Sequence, residues 1–278
     1  MPNDNSIGGF RYCMLFVDEF SDKVFVYPTK RKSEFFTCFK HLCTELQAHA
    51  QGKANEFMDQ GPGISQLRTD GEQVLNSKVV AAFCKELGIV HEHQTPYDSE
   101  QNGRAENTIG FIWRGSEAVR RGANFPEYYW PFTIQAFAHV HNLLPCNKSK
   151  GHEPGSTPYE VFNNINVPYK ELVSHLRVVG SLAYALQPKE LRGGKQGDHA
   201  IPCIMLGYAH GTTRQKGYVL QVLKTGAIIT RRHVYFNETI RPLANGVDEG
   251  WFKKQLMGTV KTGSQRSPAP TYNQSKLT

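Results

Sequence analysis

Two acidic residues, Asp70 and Glu106, lie at the boundaries of predicted secondary-structure elements. Asp70 follows a strand-like segment and Glu106 lies in the first turn of a helix-like one, with 35 residues between them. Such positions can bring two carboxylates to one rim of a fold. Polynucleotidyl transfer uses oxygen ligands of this kind to hold two Mg²⁺ ions about 3.5–4 Å apart, which activate the attacking hydroxyl and stabilise the leaving oxygen. A chain with 25 acidic residues contains many such pairs by chance. The segments around Asp70 and Glu106 must therefore show whether this pair is a catalytic site.

The segments around these two residues predict an α/β unit. Short segments are rich in aromatic and β-branched residues, whereas longer ones repeat apolar residues at helical spacing. A polar, turn-rich loop from Pro96 to Gly103 precedes the helix that carries Glu106. The predicted elements are a hairpin made of 10–17 and 23–27, a helix at 33–50, a strand at 64–68, a helix at 77–87, a strand at 89–93, and two helices at 104–121 and 126–145.

A change of composition predicts a second, smaller unit. Residues 149–171 are rich in Asn, Pro, Gly and Lys and are predicted to be a linker with one short element, 158–162. A small all-β unit is predicted at 172–240, and Tyr208, Tyr218 and Tyr235 are expected mainly in its core. The tail, 241–278, is predicted to be flexible and basic. The strand-like segments of the all-β unit are 176–186, 202–208, 217–223 and 227–236.

The composition excludes several classes of protein. With 39% hydrophobic and 21% charged residues, the chain is neither disordered nor fibrous. The net charge of +7 fits a polyanionic partner, although the last 35 residues contribute five basic and only two acidic side chains to it. The six cysteines show no zinc-ligand spacing, which favours buried thiols. No apolar run approaches the roughly 18 residues of a membrane span, so no membrane partner is expected.

Five segments, in order along residues 1–240, resemble parts of the integrases of copia-type retrotransposons. The family's second and third strands resemble RYCMLFVDEFSDKVFVYPTKRKSE, and its R-S-D-N-G-G-E-Y segment resembles LRTDGEQVLNSKVVAAFCKELGI. Its P-Y-T-P-Q-Q-N-G-V-A-E segment resembles TPYDSEQNGRAE, and its T-P-Y-E-L-W segment resembles GSTPYEVFNN. Its small barrel resembles SHLRVVGSLAYALQPKE and the strands that follow. The resemblance implies a ribonuclease H-like α/β core at 1–148, with a mixed sheet flanked by helices, and an SH3-like β-barrel at 172–240.

The resemblance also implies a chemistry and its residues. It places the second and third catalytic carboxylates on Asp70 and Glu106, where they would bind Mg²⁺ or Mn²⁺. The implied reactions are trimming of a DNA 3′ end by metal-activated water and attack of that 3′-hydroxyl on a target phosphodiester. DNA contacts are implied for Tyr97, Gln101, Asn102 and Arg104, with a plain turn and a solvated helix face as the open alternatives. The implied partners are element-end and target DNA and further copies of the chain, in the nucleus.

The chain also departs from the family pattern. Met1-Pro2 is similar to the end of the family's D-x-x-G-P-M segment, so the first catalytic Asp is expected upstream of Met1. Asp18 and Asp22 are expected to stabilise a turn rather than replace it. Whether the chain is an enzyme therefore stays open, and we expect no strand transfer from it alone. The alternatives are a non-catalytic DNA-binding remnant of a decayed element, or a gene fragment whose first strand lies upstream.

Overall fold

The computed structural model describes residues 6–51, 63–69, 77–93, 103–145, 155–187, 199–209 and 217–244. The chain begins with an antiparallel hairpin, followed by helices and strands that alternate up to residue 93. Two longer helices then follow, and short 3-10 turns at Lys32–Glu34 and Glu127–Tyr129 each lead into a helix. The elements of this first unit are β1 (Tyr12–Val17), β2 (Val24–Thr29), α1 (Phe35–Gln51), β3 (Gln66–Thr69), α2 (Lys78–Glu86), β4 (Val90–His93), α3 (Gly103–Gly122) and α4 (Trp130–Leu143).

Among the described residues, the strands of this unit form two separate two-stranded sheets. β1 and β2 are antiparallel, and β3 and β4 are parallel. Helix α1 packs against both sheets: its fully buried Phe39 stacks on Phe16 of β1 and lies in one apolar cluster with Leu67 of β3. This cluster holds the two sheets together, and Arg68 of β3 also pairs with Glu19 of the β1–β2 connection at 3.6 Å.

Helices α3 and α4 cover the opposite face of the hairpin. Ile112 of α3 and Ile134 of α4 are fully buried against Val24 of β2. The two helices approach closely because α3 has a glycine at the crossing: the ring of Phe137 occupies the space that a Cβ atom on Gly115 would need. Asn142 of α4 also bonds both backbone groups of Val24, at 2.8 Å each, which fixes the start of β2 on this helix.

Two short helices, α5 (Pro158–Asn163) and α6 (Tyr169–Val173), lead from the first unit to an antiparallel five-stranded sheet. Its strand order is β8-β7-β6-β5-β9, and alternate residues such as Ala183, Met205 and Leu220 form its core. The sheet curves so that its core-facing side chains surround one apolar cluster. Its strands are β5 (Leu182–Leu186), β6 (Ala200–Tyr208), β7 (Tyr218–Val222), β8 (Ile228–Arg231) and β9 (Val234–Asn237).

The five-stranded unit packs directly on the first unit. Ala136 of α4 belongs to the core of the sheet, and Gly207 of β6 lies against it, since an added Cβ atom would approach the Ala136 Cβ to 3.3 Å. The Tyr129 hydroxyl donates to Gln221 Oε1 at 2.6 Å, and the Arg241 guanidinium donates to the Gly122 carbonyl. Helix α4 is thus shared by the cores of both units.

Most predicted elements of the first unit are confirmed, and three differences appear later in the chain. The predicted strand 176–186 begins only at Leu182, because Gly180 adopts a left-handed conformation against Ala123. The predicted strand 227–236 is divided into β8 and β9, and helix α6 was not predicted. The domain boundaries at 148, 171 and 240 stay predictions, and only residues 241–244 of the tail are described.

The tyrosines of the barrel do not share one environment. Tyr208 is buried and Tyr218 partly buried, as predicted, but Tyr235 is 70% exposed, so that prediction was wrong. The reason is strand alternation, because Val234 and Phe236 point to the core and their neighbour must point outward.

Candidate active site

The end of strand β3 leads directly to one candidate carboxylate. Asp70 itself lies outside the described residues, but it follows Thr69, the last residue of β3. Thr69 is buried, and its hydroxyl lies 2.9 Å from Nε2 of His91 on β4. Because β3 and β4 are parallel and Thr69 pairs with His93, the chain leaves both strands at the same edge. The backbone that enters Asp70 is therefore anchored to its neighbouring strand.

His91 has a different role from the one expected of an ordinary surface histidine. Its side chain is partly buried, and it bonds across the sheet to the residue before Asp70. The parallel pairing of β3 with β4, which the sequence analysis did not predict, brings His91 beside Leu67 and diagonal to Thr69.

The start of helix α3 presents the second candidate carboxylate. Glu106 is exposed and lies in the first turn, where the partial positive charge of the helix N-terminus favours an anionic side chain. Further along the same helix, buried Ile112 fixes α3 on the hairpin. Helix α3 therefore holds Glu106 at a defined end of the first unit and open to solvent.

Most of the remaining candidate residues lie outside the part of the chain that the structure describes. Tyr97, Gln101 and Asn102 belong to residues 94–102, and for Arg104 only the backbone is described, in the first turn of α3. The structure therefore brings none of these side chains together with Glu106 within its described part. The predicted meeting of Asp70 and Glu106 at one rim stays a prediction.

The donor atoms of the two carboxylates fit a hard divalent cation. Asp and Glu oxygens are the ligands that Mg²⁺ prefers, and Glu106, the one of the two that the structure describes, is exposed to solvent. Among the described residues, which include Glu106 but not Asp70, no group of three or more His, Cys, Asp or Glu side chains is placed to hold a metal ion.

Asp18 stabilises a turn, as predicted. Its Oδ2 accepts hydrogen bonds from the backbone amide of Ser21 at 2.8 Å and from the Ser21 hydroxyl at 2.5 Å. Asp22 closes the same turn in a left-handed conformation, with its amide bonded to the Asp18 carbonyl. These contacts hold the Asp18 carboxylate within the β1–β2 connection.

The arginines at the end of α3 are engaged with the helix itself. Glu117 accepts hydrogen bonds from Arg120 and Arg121, and the Arg120 contact above all lowers the pKa of Glu117 to about 2. Arg120 also donates to the Phe125 carbonyl at 2.6 Å. Arg114, earlier on the same helix, is exposed to solvent.

The described cysteines are protonated thiols, as predicted for buried residues. Burial raises the pKa of Cys38, Cys43 and Cys203 to about 11 and that of Cys13 further still. A thiol must ionise to act as a nucleophile, so these side chains serve packing.

Sequence comparisons identify relatives of most of the chain. Residues 181–249 match the family described as the retroviral polymerase SH3-like domain. The chain is 30% identical over 236 residues to the retrovirus-related Pol polyprotein from transposon TNT 1-94 of Nicotiana tabacum, covering 84% of this chain and 16% of that protein. This chain is a homologue of plant-transposon Pol polyproteins.

The Pol-related chain also matches the Pol polyprotein from transposon RE1 of Arabidopsis thaliana, with 28% identity over 241 residues, 85% of this chain and 14% of that protein. It thus spans less than a fifth of the length of either relative. The matched SH3-like domain covers all five barrel strands, which confirms the SH3-like prediction.

Two solved integrase structures show limited similarity to the Pol-related chain. One is the HTLV-2 integrase catalytic core domain in complex with magnesium, with 22% identity and a TM-score of 0.38, covering 58% of this chain and 91% of that one. The other is the simian T-cell lymphotropic virus intasome in complex with PP2A regulatory subunit B56 gamma, with 15% identity and a TM-score of 0.38, covering 79% of this chain and 69% of that one.

In the described part of the chain, no helix combines the length and the apolar character needed to cross a membrane.

Proposed function

We propose that this chain is the catalytic and SH3-like part of a copia-type integrase, which joins element DNA to target DNA by Mg²⁺-dependent phosphoryl transfer. The observation that carries the proposal is the placement of Glu106 in the exposed first turn of α3, together with a buried strand end that leads into Asp70. Homology to transposon Pol polyproteins along 84% of the chain supports it.

In this proposal each residue has a defined task. Asp70 and Glu106 bind Mg²⁺ or Mn²⁺ through carboxylate oxygens, and the bound metal supplies charge stabilisation and hydroxyl activation. Tyr97, Gln101, Asn102 and Arg104 contact DNA on the loop and first turn before Glu106. Arg104 neutralises phosphate charge, which makes binding depend on salt. Nuclear action and assembly of several copies on DNA belong to the same proposal.

A second candidate is a DNA-binding unit without catalysis. It is favoured by one observation: in the described residues the β1–β2 and β3–β4 sheets do not share backbone hydrogen bonds. A two-metal site needs its ligands held in fixed relation, and the packing through α1 with the Arg68–Glu19 ion pair constrains them less than a continuous sheet would. We therefore expect no strand transfer by this chain alone.

Metal binding tests the proposed site on the chain as it is. Mn²⁺ titration, followed by electron paramagnetic resonance, should show binding that is reduced at least about tenfold in Asp70→Asn and in Glu106→Gln. Glu160→Gln is the matched control, since the Glu160 carboxylate closes the capping box of α5. Equal Mn²⁺ affinity in the wild type and both site variants would remove the basis for the two-carboxylate site.

DNA joining tests the reaction. A longer protein that contains this chain with its native upstream sequence should join DNA ends in Mg²⁺, and Glu106→Gln should abolish joining while leaving salt-dependent DNA binding intact. Joining that survives this substitution would contradict the catalytic role of Glu106. DNA binding by both proteins without any joining would support the second candidate.

A further inference from the structure

The side chain of Lys23 ends among three aromatic rings. Its ammonium nitrogen lies 3.9 Å from the ring centroid of Phe162, 4.8 Å from that of Phe25 and 5.8 Å from that of Tyr159. Phe25 belongs to β2, whereas Tyr159 and Phe162 belong to α5. The three rings therefore converge on one cation from two distant parts of the chain.

The backbone around Lys23 is held in place independently of this contact. The Lys23 carbonyl accepts from the Asp18 amide at 2.9 Å, and its amide donates to the Ser21 hydroxyl at 3.2 Å. The next residue, Val24, is bonded on both sides by Asn142 of α4. The β1–β2 connection thus presents the lysine side chain from a fixed base.

The ring-bearing helix is also internally ordered. Thr157 and Glu160 form a capping box at the start of α5, and the Asn163 side chain donates to the Tyr159 carbonyl at 2.6 Å. Phe162 meets Phe25 edge-on, with ring centroids 5.6 Å apart. The Glu160 carboxylate accepts hydrogen bonds from the Thr157 amide and hydroxyl at 3.0 and 2.8 Å. What joins α5 to the hairpin here is aromatic packing around a cation.

The three aromatic rings favour a positively charged side chain at this position. Aromatic faces carry negative electrostatic potential, and they attract ammonium groups within about 6 Å of the ring centroid. Aromatic cages of this kind are also used to bind quaternary ammonium groups. A purely apolar contact would be served equally well by a neutral side chain of the same length.

We propose that Phe25, Tyr159 and Phe162 form a site for alkylammonium groups, which the chain fills with its own Lys23 to fasten α5 to the first unit. Because α5 lies on the path from the first unit to the barrel, the charge on Lys23 controls how firmly that path is attached. An N-methylated lysine keeps the cation and the attachment, whereas an N-acylated lysine loses both.

Hydrogen exchange of α5 tests the role of charge. The amides of Val161, Asn164 and Ile165 donate within or directly after this helix and report its opening. Lys23→Met, which keeps side-chain length without charge, should raise their exchange rates roughly tenfold, whereas Lys23→Arg should leave them within about twofold. Lys40→Met is the matched control, because Lys40 of α1 lies near the rings of Phe36 on α1 and Phe83 on α2 and should not affect α5.

Chemical rescue tests the class of ligand. In Lys23→Ala, tetramethylammonium chloride should restore slow exchange of these amides, whereas sodium chloride at equal ionic strength and tert-butanol should not. Equal protection by tert-butanol, or equal exchange in Lys23→Met and Lys23→Arg, would show an apolar pocket without charge preference and overturn the proposal. Melting temperatures of all variants confirm that the first unit and the barrel remain folded.

Discussion

The two units of this protein build their sheets in different ways. In the barrel, five strands form one antiparallel sheet in which β9 returns to pair with β5. In the first unit, the described strands form two ladders of two strands, and Phe39 of α1 packs between the elements that carry them. Backbone hydrogen bonds therefore define the geometry of the barrel, whereas side-chain packing defines that of the first unit.

The candidate active site is expected to be less rigidly held than the barrel. Asp70 follows β3, which belongs to the smaller parallel pair, and two-stranded sheets have little independent stability. Glu106 lies on α3, which is secured by α4 and through it by the barrel. We expect the two carboxylates to differ in how rigidly they are held, with Glu106 the more rigid.

The largest predicted effect concerns Phe39. Phe39→Ala should destabilise the protein by about 3–5 kcal/mol, because a fully buried aromatic ring is replaced by a cavity. Hydrogen exchange should rise first in α1, α2 and β3, with strands β5 to β9 still protected. Leu220→Ala, at a fully buried barrel position, is the control and should reverse this order. Identical exchange patterns in the two variants would show that the units open together.

The next effect concerns the contact between the units at Gly180. Gly180→Ala should cost about 2–3 kcal/mol, because φ is +86° there and the new Cβ atom would approach the Ala123 Cβ to 2.6 Å. Gly226→Ala is the control: it has a similar φ of +71°, but only the Gln221 side chain lies near, at 3.9 Å. Urea unfolding measures both. Equal losses would mean that backbone strain, and not packing of the barrel on α3, accounts for the cost.

Protonation of His141 at acidic pH should lower the stability of the fold by a smaller amount. Burial lowers the pKa of His141, whose ring nitrogen lies 3.3 Å from the Asp22 carbonyl. The unfolded chain therefore binds a proton more readily, so stability is complete above the ordinary pKa of about 6.5 and falls as the pH drops below it. His141→Gln should flatten this fall in urea unfolding between pH 7 and pH 5. The same slope in both proteins would exclude His141 as its source.

The smallest effect concerns Glu117. Glu117→Gln should lower stability by less than about 1 kcal/mol at neutral pH, since the side chain is 42% exposed and its ion pairs are screened by solvent. The stabilisation is present above the ordinary pKa of 4.5 and is lost as the pH falls through about 2, where the carboxylate takes up a proton. The difference between the two proteins should therefore shrink in acid and in high salt. A difference that is constant across pH would point to packing.

The local sequence pattern predicted most of the helices, strands and turns of the described chain. The apolar spacing predicted a helix at 77–87, and α2 begins there behind Ser77, whose hydroxyl accepts from the Val80 amide. The polar connection Asp18–Asp22 predicted the hairpin turn, and Asp18 caps it. The apolar pattern of residues 176–186 predicts one continuous strand, but Gly180 bends the chain within it at a positive φ, for which the glycine itself is the sequence signal.

The sequence by itself determined where helices and strands occur, because spacing, caps and turn residues act between near neighbours, and its motifs singled out Asp70 and Glu106. Only the tertiary structure decided which distant residues meet. Asn142 bonds Val24 across 118 residues, and Lys23 finds rings on α5, because packing of α4 and α5 on the hairpin brings these groups together. No local sequence pattern predicts contacts between residues so far apart in the chain. They depend on how the buried faces of α4 and α5 are oriented on the hairpin.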